Sequence, residues 1–102
     1  MRMITSEKIN ETIFNALDEI NQLLPDENKI EKKEDTVLYG AYSRLDSLGL
    51  VNLIVTVEQR VQDELGRSID LTDEKALSRK NSPFLTVKTL SDYISSLLNN
   101  EY

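Results

Sequence analysis

Residues 46–66 read DSLGLVNLIVTVEQRVQDELG, and the fold turns on whether this run is a strand or a helix. Its β-branched Val51, Ile54, Val55, Thr56 and Val57 would suit a pleated sheet. Its length, and the later spacing of Glu58, Arg60 and Asp63, suit a helix instead. The sequence therefore predicts a helix over 47–65, ended by Gly66, the residue that most easily takes the left-handed turn after a helix. Leu48, Val51, Val55 and Leu65 mark one side of it, and Leu50, Leu53, Ile54, Val57 and Val61 widen that side. A helix so apolar over most of its circumference is expected to be buried on more than one side. A serine stands at its doorstep, between Asp46 and Leu48. Ser47 can cap the helix, as can Asp46, but a hydroxyl at the positive end of a helix dipole also suits a phosphate ester.

Working outward, TSEKINETIFNALDEINQLL (5–24) places Ile9, Ile13, Leu17, Ile20 and Leu24 at spacings of four, four, three and four. That is one stripe of an amphipathic helix, expected over about 6–24 with Thr5 or Ser6 as its cap and Pro25 as its stop. PDENKIEKKED (25–35) is polar, with Ile30 as its one apolar residue. Val37 and Leu38 are expected to plug the loop onto the core, and Gly40 to permit a bend. In the other direction, Thr72 can cap a short helix at about 72–78, and Ser82-Pro83 marks a break. TVKTLSDYISSLLNN (86–100) predicts a last helix over 86–98, capped by Thr86, with Val87, Leu90, Ile94, Leu97 and Leu98 on its stripe. Leu17, Val55 and Ile94 are expected to meet in one core. Segments 25–35 and 79–84 are expected to be the most mobile internal regions. The whole describes one domain over 1–102, an all-α bundle of three long helices and one short one.

Composition narrows the chemistry. The 102 residues contain no cysteine and no histidine. Thiol nucleophiles, disulfides and a Ser-His-Asp triad are excluded, and the usual zinc ligands are missing. The net charge of −6 disfavours nucleic acid and favours basic partners. Residues 46–65 carry a net −3 from Asp46, Glu58, Asp63 and Glu64 against Arg60, whereas 66–102 balance to zero. No run is long and apolar enough to span a bilayer, and the N-terminus lacks the apolar core of a secretory signal, so a cytoplasmic monomer is expected. Ser47 has no neighbouring base and is a poor nucleophile by itself. Any group it carries must be placed there by another enzyme.

These residues bring a family into view. LDSLGLVNLIVTVEQRV resembles the start of the second helix of acyl carrier proteins, whose Asp-Ser-Leu motif carries 4′-phosphopantetheine on the serine. The upstream amphipathic helix, the long loop, IDLTDEKAL around a short third helix, and TVKTLSDYI opening the last helix resemble the same family in the same order. The likeness covers about residues 5–98. Asp-Ser-Leu alone is weakly specific; at a helix start, with the Thr86-Val87 helix following about forty residues on, the combination is far more so.

The resemblance implies that Ser47 is the attachment residue, with Asp46 and Leu48 recognised by a phosphopantetheinyl transferase. It implies a carrier, not an enzyme, that holds acyl intermediates as thioesters on the arm's own thiol. Acyl-transferring or condensing enzymes would be its partners, meeting Leu50, Glu58, Asp63 and Glu64. The chain departs from fatty-acid carriers in its second helix, where Gly49, Asn52, Gln59 and Arg60 dilute the acids, and in its enlarged 25–35 loop and RKNSPF (79–84). Those departures point to a specialised lipid or secondary-metabolite pathway. An aminoacyl or D-alanyl carrier shares the same motif, and an unmodified helical interaction module is the alternative from another class.

Overall fold

Three apolar stripes build the molecule, and two of them are the expected ones. The computed structural model describes residues 4–39, 45–71 and 84–99, with Ser47 described by its backbone. Among them the chain forms α1 (Ser6–Asn21), α2 (Ser47–Leu65) and α3 (Val87–Leu98), with a 3-10 turn at Asp26–Asn28. The described residues are all-helical, with no strand; a lone antiparallel bridge joins Val37 to Thr86. The short helix expected at 72–78, the bend at Gly40 and residues 79–83 of the expected break lie outside the described residues.

α1 packs against both α2 and α3. Its N-terminus is capped by the Thr5 hydroxyl, which accepts from the Lys8 N–H at 3.2 Å. Ile9, Ile13, Ala16, Leu17 and Ile20 are buried along one stripe, as the spacing requires. The helix stops at Asn21 rather than at residue 24. Leu23 and Leu24 instead donate three residues back, to Ile20 and Asn21 carbonyls. Asn21 is also taken up elsewhere: its side-chain amide donates to the Ile30 carbonyl at 2.9 Å and accepts from the Ile30 N–H at 2.8 Å. A primary amide has the donor and acceptor of a peptide group, so it can pair with one reciprocally. Asn99 does the same to Ile4, accepting its N–H at 3.0 Å and donating to its carbonyl at 3.2 Å, which ties the two ends of the described chain together.

The 25–38 loop is more firmly held than its polarity suggests. Ile30 is buried, and Asn10 on α1 donates to Glu34 at 2.9 Å. Leu38 is buried as expected, and its N–H donates to the Leu85 carbonyl at 2.7 Å. The first amides of a helix have no partner within it. At α3 the loop supplies them: Val87 N–H donates to the Thr36 carbonyl at 3.1 Å and Lys88 N–H to the Glu34 carbonyl at 2.8 Å. Thr86 accepts the third, from Thr89 N–H at 3.1 Å, while Thr89 Oγ1 accepts from Thr86 N–H at 3.0 Å. Loop and helix start are thus one hydrogen-bonded unit. On the inward stripe of α3, Val87, Leu90, Ile94 and Leu98 are buried.

α2 has the predicted bounds, and Gly66 ends it at φ +66°, donating to the Gln62 carbonyl at 3.1 Å. Its buried face differs from the expected one. Leu53, Ile54, Val57 and Val61 enter the core, while Leu48, Val51 and Val55 are 69%, 52% and 42% exposed. Val55 therefore does not join Leu17 and Ile94. The residue count explains the error. Two apolar arcs lie on nearly opposite sides of this helix at 3.6 residues per turn, and only the neighbour, α1, decides which one is covered.

Candidate functional site

The N-terminus of α2 is where the motif, the exposed apolar arc and a cleft converge. Asp46 has extended backbone geometry and is the N-cap; its Oδ1 accepts from the Gly49 N–H at 2.7 Å. Capping therefore belongs to Asp46, and residue 47 is the first residue of the helix. The next amide, Leu48 N–H, has no acceptor among the described residues. This is a free donor at the positive end of a dipole. Gly49 fits the crowding here: a Cβ at that position would lie 3.0 Å from Asp46 Oδ1 and 3.1 Å from Leu45 Cδ2. A glycine inside a helix costs about 1 kcal/mol relative to alanine; a side chain here would require Asp46 and Leu45 to give way by a few tenths of an ångström.

The other residues singled out by sequence are distributed unevenly. Leu48 faces outward, and with Val51 and Val55 it forms an uncharged strip down α2. Leu50 turns partly inward and packs against the core. Glu58 reaches the far end of the fold, its Oε2 accepting from the Leu71 N–H at 2.8 Å. Glu64 is turned toward α1: Oε1 accepts from Asn15 Nδ2 at 3.0 Å and from Thr12 Oγ1 at 3.5 Å, and its carboxylate also meets Arg60. Arg60 bridges to Glu19 at 2.7 Å, and that hydrogen bond holds its guanidinium above its usual pKa. Among the described residues, Asp63 alone of Glu58, Asp63 and Glu64 is exposed without such a partner. The net −3 of residues 46–65 is thus partly spent on holding α1 and the segment after α2.

Sequence reasoning did not find a cleft of about 190 Å³ beside the motif, between the end of α1 and the start of α2. Ile20, Leu24 and Leu45 are among its apolar lining residues, and Asn28, Asp46 and Asn52 are its polar ones. The signal that could have found it is Gly49, an unexplained glycine in an otherwise strong helix.

For a phosphopantetheine arm, the relevant features fit. The position is a helix start, its cap is already supplied by the preceding residue, and a backbone N–H stands ready for a phosphate oxygen. No helix among the described residues is long and apolar enough to cross a membrane, and none of them form a group that could hold a metal ion. Compared with family models, with curated proteins and with solved structures, the chain gives no match.

Proposed function

We propose that the chain is an acyl carrier protein, bearing 4′-phosphopantetheine on Ser47 and serving enzymes of a specialised pathway. The observation that carries this is the division of labour at α2. Asp46 holds the cap through the Gly49 N–H, and the Leu48 N–H has no acceptor among the described residues. In this proposal residues 72–78 supply the short helix that completes a four-helix bundle. When bound, the group supplies a thiol that carries cargo as a thioester. The chain's own part is to present and orient. The Leu48 N–H would donate to a phosphate oxygen, and the helix dipole would favour its charge. The chain performs no chemistry itself; its lack of histidine and cysteine leaves transfer to partner enzymes.

The specialised reading is supported by the outward face of α2. Leu48, Val51 and Val55 are apolar and exposed, while Glu58 and Glu64 are engaged within the fold. Partners would meet apolar shape before charge. The same strip favours a second reading, an unmodified interaction module that docks through it. One measurement separates the two: intact mass after incubation with coenzyme A and a broad-specificity phosphopantetheinyl transferase. Addition of one phosphopantetheine, mapped by peptide fragmentation to Ser47, is expected. An unchanged mass beside a modified control carrier would leave the interaction module standing. Acyl and aminoacyl cargo share this step and are separated only by which group is then loaded.

A further inference from the structure

We propose that the cleft between α1 and α2 receives one arginine side chain of a protein partner seated on the outward strip of α2. The strip alone is a poor guide to orientation, because Leu48, Val51 and Val55 offer apolar contact with no direction in it. At about 100° per residue, residue 47 and Gly49 stand on opposite flanks of α2 with that strip between them. The cleft opens on the Gly49 flank. A partner anchored there is held with its bulk across the strip and the residue 47 flank leading.

Size and chemistry select the occupant. A volume of about 190 Å³ is below the roughly 300–1,000 Å³ of pockets for drug-sized ligands, and suits one long side chain. Ile20, Leu24 and the 79% exposed Leu23 would flank an aliphatic stem. The polar lining includes Asp46, whose Oδ1 is committed to Gly49 and whose other carboxylate oxygen has no partner among the described residues. The side-chain carbonyls of Asn28 and Asn52 can accept as well. A carboxylate flanked by neutral acceptors matches the planar donor fork of a guanidinium better than the point charge of an ammonium. In a chain of net charge −6, a cationic anchor is also the one drawn in at long range. Buried arginines are frequent among the few residues that dominate interfaces.

That the partner acts on a carried group rests on the carrier reading; the cleft's selectivity does not. The test therefore uses the protein with no arm attached. ¹⁵N-labelled chain is titrated with N-acetyl-arginine amide and, separately, with the neutral near-isostere N-acetyl-citrulline amide. Saturable shifts are expected at Asn28, Gly49 and Asn52, with apparent affinity for arginine at least about fivefold the stronger, the ratio one charge-assisted hydrogen bond provides. Gly49→Ala places a methyl against Asp46 and Leu45, and Leu23→Ala removes an exposed flank without crowding. At least one of the two, checked as folded by its spectrum, should weaken the arginine response by about fivefold. An equal response to citrulline, shifts scattered away from the cleft, no saturable shift, or an arginine response intact in both variants would overturn the proposal. None of these outcomes bears on whether Ser47 is modified, which the mass measurement reads separately.

Discussion

The starts of α2 and α3 are the same kind of object put to different uses. At α3 the first three amides are all taken, two by loop carbonyls of Thr36 and Glu34 and one by the Thr86 hydroxyl. That end is closed, and it binds a distant loop to the bundle. At α2 one side chain, Asp46, caps the third amide, and the Leu48 N–H is left without an acceptor among the described residues. A helix start can thus spend its polarity on the fold or keep it for something that arrives later. Both starts carry a residue from the usual capping set, so composition alone does not tell them apart.

The largest expected difference between the two ends is chemical. Ser47→Ala should abolish phosphopantetheine addition, while Thr86→Ala should leave it intact. Arm addition persisting in Ser47→Ala, read by intact mass, would remove the carrier reading.

Next in size is the contrast between inward and outward apolar residues. Leu17→Ala on α1 and Ile94→Ala on α3 should each cost about 2–5 kcal/mol, because both are fully buried and truncation leaves a cavity. Val55→Ala, on the outward strip of α2, should stay within about 0.5 kcal/mol. Urea denaturation of the three variants checks this; a Val55→Ala loss comparable to the others would mean that the strip is covered.

Smaller effects separate the caps. Thr86→Ala should cost about 1–2 kcal/mol, since Thr86 caps Thr89 and is itself held by it. Ser47→Ala should move the melting temperature little, because the cap on α2 is Asp46. If amide exchange is followed as well, Val87 and Lys88 should exchange more slowly than Leu48. The reverse order would dissolve the distinction between a closed and an open helix start.

The smallest effect concerns partners. A housekeeping malonyl transferase should load this chain less efficiently at low salt than it loads a carrier with an acidic second helix. Each exposed charge pair contributes only about 0–1 kcal/mol, so the deficit should be modest and shrink as salt rises. Equal efficiency at low salt would remove the basis for a specialised partner set.

Some of this was legible in the residues and some was not. Local rules placed α2 at 47–65 and the last helix at 86–98, against the observed Val87–Leu98, because their caps and stops lie within a few residues of each helix end: Thr86 before α3, Gly66 after α2. The same rules marked Ser47 as a residue at a helix start and the Leu17 and Ile94 stripes as core. The extent of α1 escaped them by one turn, because Asn21 pairs with Ile30, nine residues on. The anchoring of the loop onto Val87 and Lys88 escaped them too, since N–H donation to carbonyls about fifty residues back in the chain leaves no pattern in the sequence.

What the sequence by itself determined was the period of each stripe, its helical class and the position of the Asp-Ser-Leu motif, all consequences of interactions within a few residues. What only the tertiary structure decided was which arc of α2 is covered. Leu53, Ile54, Val57 and Val61 are no more apolar than Leu48, Val51 and Val55, and a helix apolar on two sides has no intrinsic inside. Burial of one arc depends on where α1 lies, with Glu64 held by Asn15 and Arg60 held by Glu19 on its flank. The opposite arc stays in solvent because neither α1 nor α3 covers it, and it is that choice which leaves an apolar strip beside the serine.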